Sequence, residues 1–293
     1  MQDAIMNSWN IPAVWLLNEI GITTGMDFTT KLGIPLTKDD RKLGIALGGL
    51  SKGVSPLQMA QAFSAFANQG SMFKAHAITK ITTADGKVLA EAKPSPTQVM
   101  SAQNAYTMTQ LLQNAVMNGT GHNALLDRPV AGKTGTTQLP ATKEFADIGN
   151  NGTKDAWFVG YTPELTAAIW LGYDKTDKNH YLTTSGGAAP AVLFREIMVR
   201  ALKGTTPMPF NVPQGYVNPF QQAQSQPADQ PPAETAAQLP PPQQPTVQQP
   251  RPKRDKQQDM RDQVNKWLEQ QRKQNKYDHG RGNGRGQGDE QDD

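Results

Sequence analysis

Apolar residues recur along this chain with two periods. Helical spacing is clearest after Ser55-Pro56, where Leu57, Met59, Ala60, Phe63, Phe66 and Ala67 share one face before Gly70. That pattern predicts a helix with a serine cap, proline in its first turn and a stripe turned to the core. A longer amphipathic helix is predicted over residues 101–117, capped by Ser101 and stopped by Gly119 and Gly121. Residues 11–20, ended by Gly21, suit a third helix. Residues 28–32, closed by Gly33, suit a short fourth, and residues 190–203 a last one. Alternation of period two takes over elsewhere. Residues 77–83 and 87–90 flank Asp85-Gly86 and predict a hairpin. Residues 128–137, 155–161 and 165–172 read as three strands of an antiparallel sheet. The fold class expected for residues 1–204 is therefore α+β, an antiparallel sheet flanked by helices.

Composition changes the picture beyond Thr205. Thirteen of the 22 prolines lie between Pro207 and Pro252, mixed with glutamine. Such a stretch buries too little apolar surface to offset its ordering entropy, so residues 205–254 are expected to form a disordered linker. Within the tail, Met260, Val264, Trp267 and Leu268 fall at i, i+4, i+7 and i+8. Residues 255–276 thus suit an amphipathic helix, either solvated or docked on a partner. Residues 277–293 form a Gly/Arg/Asp tail whose glycine spacing is not a nucleotide loop, because no strand precedes it.

Charge and special residues mainly exclude. A formal net charge of +3 with no basic face gives no footprint for nucleic acid. Cysteine is absent, which removes disulfides, thiol nucleophiles and thiolate metal sites. The four histidines are scattered (His76, His122, His180, His279), so no metal site is expected and no cofactor is called for. No stretch approaches the ~20 apolar residues of a membrane span. The first residues lack the charged and apolar regions of a signal peptide; they read as the middle of a helix or loop.

Chemistry concentrates in Val130-Ala-Gly-Lys-Thr-Gly-Thr-Thr137. A cation there attracts a carboxylate, hydroxyls orient it, and glycine lets a peptide backbone lie close beside the strand. Lys133-Thr134-Gly135 is one of three signatures of penicillin-recognising serine acyl-transferases. Ser8-Trp9-Asn10, directly ahead of Ile11-Pro12-Ala13, gives the Ser-x-Asn signature. Further pieces follow in order: Gly53-Val54-Ser55-Pro56, Phe66-Ala-Asn-Gln-Gly70, Asn118-Gly-Thr-Gly121, Asp155-Ala-Trp-Phe-Val-Gly-Tyr-Thr-Pro163 and Trp170-Leu-Gly-Tyr-Asp174. Jointly they resemble the transpeptidase domain of class A (bifunctional) penicillin-binding proteins, over residues 1 to about 204.

The resemblance implies the fold shared with serine β-lactamases and a D,D-transpeptidase reaction. A serine attacks a D-alanyl-D-alanine peptide stem, releases D-alanine and passes the acyl group to an amine on a neighbouring stem, cross-linking peptidoglycan. β-Lactams trap the acyl-enzyme. It further implies that Ser8 relays a proton, Asn10 holds the substrate amide, and Lys133 supplies positive potential and supports Ser8. Thr134 and Thr136 would hold the terminal carboxylate, Gly135 would admit the substrate backbone, and the Thr136 N–H would join an oxyanion hole. Peptide stems and β-lactams are the partners implied, at the outer face of the bacterial cell membrane, in the wall.

One departure stands out. The family carries its nucleophile in a helical Ser-x-x-Lys ahead of Ser-x-Asn. Only seven residues precede Ser8, none of them lysine, and neither Ser51-Lys52 nor Ser101 fits. The chain therefore reads as the C-terminal part of the domain, without its nucleophile and inactive alone, with a sheet edge and an apolar face exposed. Two alternatives compete. A non-catalytic penicillin-recognising or scaffold module would work through the tail helix; a serine β-lactamase would need a deacylating base, and none can be placed.

Overall fold

The computed structural model describes residues 1–220. The chain divides into two units, Met1–Ala228 and Asp229–Asp293, and the described residues all belong to the first. The expected linker beyond residue 220, the helix at 255–276 and the tail at 277–293 lie outside the described residues.

Helices α1 (Gln2–Met6), α2 (Asn10–Ile20) and α3 (Ile22–Lys31) lead into α4 (Pro56–Ala67), α5 (Ala102–Met117) and α6 (Ala189–Ala201). The cap chemistry behaves as the sequence requires. Ser55 Oγ accepts the Gln58 N–H while Gln58 Oε1 accepts the Ser55 N–H, a complete capping box. Ser101 Oγ likewise accepts from Asn104 N–H and opens α5. Helix α3 starts at Ile22 rather than near Phe28. Gly21, at φ +86°, turns the chain directly from α2 into α3. Its first turn holds Thr23, Thr24 and Gly25, all weak helix formers. Gly25 lies so close to Leu17 of α2 that a Cβ would overlap the leucine side chain, so the helix there is packed on its neighbour despite weak local propensity. On α4 the buried residues are Ala62 and Ala65, whereas Leu57 is 65% exposed and does not join the core.

The main sheet has the order β5-β6-β7, all antiparallel: β5 (Ala131–Gln138), β6 (Thr153–Tyr161) and β7 (Thr166–Gly172). The register sets Lys133 opposite Val159 and Phe158 opposite Ile169. Period-two alternation sends the two faces into different cores. On one face Phe158 packs on Phe194 and Met198 of α6, with Val116 and Ala124. On the other, Ala131 and Tyr161 meet Leu112 of α5 and Phe63 and Phe66 of α4. The result is three layers, helix–sheet–helix. Two minor pairs complete the strands: β1 (Ser71–Phe73) with β4 (Pro96–Gln98), and β2 (Lys80–Thr82) with β3 (Val88–Glu91). The latter is the expected hairpin, shortened where its register shifts between Ile81 and Thr82.

Among the described strands, β5 and β7 each pair only with β6, so both edges of the main sheet are open. Trp9, Ile11, Trp15 and Ile20 of the α2 region are exposed. Between α3 and α4, buried Asp40 accepts the N–H groups of Thr37 at 2.7 Å and Ser51 at 2.6 Å. These donors hold its carboxyl well below the usual carboxylate range and tie the loop across its base.

Packing also continues past residue 204, where the linker was expected to begin. Phe210 is buried edge-on against Tyr161, with ring centroids 5.6 Å apart. Tyr216 O–H donates to Gln110 Oε1 at 2.7 Å, and its ring meets Tyr106. Two aromatic residues thus pack a proline-rich, irregular segment onto α5 and β6 where average composition marks it as unstructured.

Candidate active site

Ser8 occupies the turn between α1 and α2 with φ +57°, a conformation glycine prefers. The local hydrogen bonds explain why the chain goes there. Trp9 N–H bonds to Ala4 O at 2.9 Å and Ser8 N–H to Ile5 O at 3.2 Å, the paired bonds of a Schellman turn, with Ser8 at the left-handed position. The end of α5 clamps this turn. Thr120 N–H donates to Met6 O at 3.1 Å, Asn114 Nδ2 lies 3.4 Å from Met6 Sδ, and Gly119 approaches so closely that a Cβ would overlap Met6 O.

Lys133 reaches this turn from β5. Its Nζ donates to Ser8 Oγ at 2.7 Å and to Thr134 O at 3.0 Å, with Thr134 Oγ1 at 3.4 Å. Burial pulls the ammonium down to about 8, and no carboxylate pairs with it among the described residues. A large fraction is therefore neutral near pH 8, which suits proton exchange with a hydroxyl.

Thr134 Oγ1 lies 2.7 Å from Thr120 Oγ1. Four polar atoms thus form a chain, Ser8 Oγ, Lys133 Nζ, Thr134 Oγ1 and Thr120 Oγ1. Thr136 Oγ1 accepts the Gly186 N–H at 3.0 Å, leaving its own proton free to donate outward. Gly186 packs so tightly on Gly135 and Trp157 that a Cβ would overlap their backbone oxygens. Gly187 does the same to Thr120 O, and Asn123 Nδ2 donates to Gly187 O at 2.7 Å.

The structure therefore joins Ser8, Lys133 and Thr134 directly and seats Gly135 and Thr136 against the 186–187 turn. Asn10, the exposed first residue of α2, stands two positions from Ser8 and makes no hydrogen bond to Ser8 or Lys133. Asn114, Thr120, Asn123, Gly186 and Gly187 carry no role in the sequence reading, and Gly119 only that of a helix stop. The Asn118-Gly-Thr-Gly121 motif was the available signal: two glycines around a hydroxyl mark a close backbone approach.

Ser71 to Lys74 form a literal Ser-x-x-Lys. It sits on and just after β1, where Ser71 Oγ donates to Gln98 Oε1 at 2.6 Å. Extended backbone does not set residues three apart on one face, as a helix turn does. This is not the helix-borne pair the chemistry requires.

A serine hydroxyl thus lies bonded to a lysine of lowered pKa, beside a strand that pairs on one side only among the described residues. Residues 1–199 match the family model of the penicillin binding protein transpeptidase domain. The chain belongs to that family. It is 45% identical to penicillin-binding protein 1F of Bacillus subtilis over 201 residues, 69% of this chain and 27% of the relative. It is 39% identical to penicillin-binding protein 2a of Streptococcus pneumoniae over 217 residues, 74% of this chain and 29% of that one. It thus spans little more than a quarter of these relatives' length. Its fold is similar to the PonA1 protein of Mycobacterium tuberculosis in complex with penicillin V, with TM-score 0.63 and 28% identity, covering 74% of this chain and 60% of that one. A lower-identity likeness, 21% with TM-score 0.58, to penicillin-binding protein 1A of Haemophilus influenzae bears on the fold alone. Among the described residues no helix is long and apolar enough to cross a membrane.

Proposed function

We propose that this chain furnishes the substrate-binding strand and the proton-relay serine of a D,D-transpeptidase that cross-links peptidoglycan stems at the outer face of the bacterial membrane. The observation that carries it is the 2.7 Å bond between Lys133 Nζ and Ser8 Oγ, which joins a half-buried lysine to an exposed serine. With Lys133 charged, Ser8 can give its hydroxyl proton to the departing amine and recover one from the ammonium, whose lowered pKa makes it a ready donor and leaves Lys133 neutral. The same ammonium attracts the stem's terminal carboxylate to Thr134 and Thr136. The free Thr136 hydroxyl proton serves that carboxylate, and the Thr136 N–H serves the developing oxyanion. Gly135 keeps the strand edge bare of side chain where the stem lies. Asn10 holds the stem's amide once it is bound. The same groups receive the carboxylate and carbonyl of a β-lactam.

The nucleophile of this reading is a Ser-x-x-Lys on a helix preceding Ser8. Fluorescent penicillin provides the test. A protein carrying this chain behind such a helix should label, and Ser8→Ala should slow labelling by about 10²–10⁴-fold, the usual loss for a missing proton-transfer group. Residues 1–293 alone should stay unlabelled. Covalent labelling of the chain alone, or native-rate labelling after Ser8→Ala, overturns the reading.

A further inference from the structure

The direction of the Thr136 hydroxyl is set by a turn 50 residues farther along the chain, because its Oγ1 accepts the Gly186 N–H at 3.0 Å. A hydroxyl that accepts a bond on one side keeps its single proton for a partner on another. What fixes Gly186 therefore fixes the donor. The turn does not fix itself, since its own bonds are short-range. Ala188 N–H donates to Ser185 O at 3.0 Å, and Ala189 N–H to Thr184 Oγ1 at 3.2 Å.

Besides the bond to Thr136, one hydrogen bond among the described residues ties this turn to another element. Asn123 Nδ2 donates to Gly187 O at 2.7 Å. Asn123 is exposed, yet its base is rigid. It is the middle residue of the single helical turn His122–Ala124. Its neighbour Ala124 is fully buried in the core with Phe158 and Phe194, and its N–H donates to Gly121 O at 2.9 Å. On the other side His122 Nδ1 lies 3.1 Å from Met117 O, at the end of α5. Steric contact completes the support. A Cβ on Gly187 would overlap Thr120 O, and one on Gly186 would overlap Gly135 O and Trp157 O. Those contacts keep the turn from sinking onto the sheet, and the Asn123 bond keeps it from lifting away. Between them the Gly186 N–H has one place to stand.

We propose that Asn123 is a positioning residue for carboxylate recognition, aiming the Thr136 hydroxyl through Gly187 and Gly186. The inference rests on the peptide-binding reading given above, in which that hydroxyl serves the terminal carboxylate. A purely structural asparagine would change stability and leave the choice between a carboxylate and a carboxamide untouched. An asparagine that aims the hydroxyl changes that choice.

The test uses residues 1–293 with diacetyl-lysyl-D-alanyl-D-alanine and its C-terminal carboxamide, and binding is followed by amide chemical shifts. The native chain should bind the acid about tenfold more tightly, the usual gain for a hydrogen bond to a charged group. Asn123→Ala should bring the ratio within about threefold while the carboxamide's Kd stays within about twofold. Hydrogen exchange at the Gly186 N–H should quicken about tenfold in the same variant. Asn123→Gln keeps an N–H donor at an exposed position and should recover the native ratio. Asn123→Ser, too short to reach Gly187 O, carries the same expectation as alanine should Asn123→Ala fail to fold. A native ratio in the alanine or serine variant, with both peptides bound, overturns the role of Asn123 and leaves the peptide-binding reading intact. A ratio that falls as far in Asn123→Gln also overturns it. Equal binding of acid and carboxamide by the native chain, or binding of neither, overturns the role together with the reading beneath it.

Discussion

Gly119, at the end of α5, lies against the carbonyl oxygen of Met6, at the end of α1, with no room for a side chain between them. The next residue, Thr120, bonds that same oxygen through its N–H and the Thr134 hydroxyl through its own. The serine turn and the lysine strand are therefore set relative to each other by the last turn of one helix. Gly119→Ala forces α1 away from α5 and should destabilise the protein by about 1–3 kcal/mol, the usual range for overpacking. Thermal unfolding monitored by circular dichroism measures this. An unchanged Tm would show that α1 moves freely and that the clamp is not rigid.

The hydroxyl pair is tested by Thr120→Val and Thr120→Ser. Valine leaves Thr134 Oγ1 without its partner and should cost about 1 kcal/mol, while serine restores most of it. In a protein that labels with penicillin, Thr120→Val should slow acylation and Thr120→Ser should not. Equal behaviour of both variants in denaturant titration would remove the bond from the site's architecture.

Lys133 gives the chain a pH signature. Its folded pKa, about 8, lies below the ordinary lysine value of 10.5. The unfolded chain then binds more protons between these values, so stability rises as pH increases from about 8 to 10.5 and is at its lower plateau below 8. Taken at face value the shift corresponds to roughly 3 kcal/mol across that window. Lys133→Met should flatten the rise in urea midpoint. A midpoint that rises equally in both proteins would assign the effect to other groups.

Ser8 sits where the backbone prefers glycine. Ser8→Gly should therefore match or exceed the native stability, whereas Ser8→Ala keeps the left-handed penalty and loses the hydroxyl bond to Lys133. A gap of about 1–2 kcal/mol in favour of the glycine variant is expected. Equal midpoints for the two variants would place no strain at this turn.

Phe210 tests how far the packed body extends. Phe210→Ala opens a hole beside Tyr161 and should cost about 2–4 kcal/mol, near the lower end of the core range for phenylalanine. Ending the chain at Gly204 should do at least as much. A truncated protein with native Tm would return the boundary to where composition drew it.

Much of this architecture was legible from residue order. The caps at Ser55 and Ser101, the three sheet strands and the terminal helix are local events, each written by a few neighbouring residues. The start of α3 was not, since its threonines and glycine are weak helix formers and Gly25 lies against Leu17 of another element. The packed segment at Phe210 and Tyr216 was hidden for the opposite reason, because thirteen prolines dominate the average while two aromatic rings decide the packing. At the site, Lys133 and Ser8 could be named from their motifs, 125 residues apart. Gly119, Thr120, Gly186 and Gly187 could not be given tasks, because a close approach exists only once two distant segments meet.

The 186–187 turn changes what a mutational scan of this protein should look like. Gly186 is pressed against two backbone oxygens of the sheet and Gly187 against a third, so neither site tolerates even a methyl group. Exposed hydroxyls such as Thr137 can be exchanged with little consequence to the fold. The positions most sensitive to substitution around β5 will thus include residues with no side chain at all. A map of intolerance will outline the strand by its silhouette, the shape of what must stay empty, before it picks out any hydroxyl or amine along it.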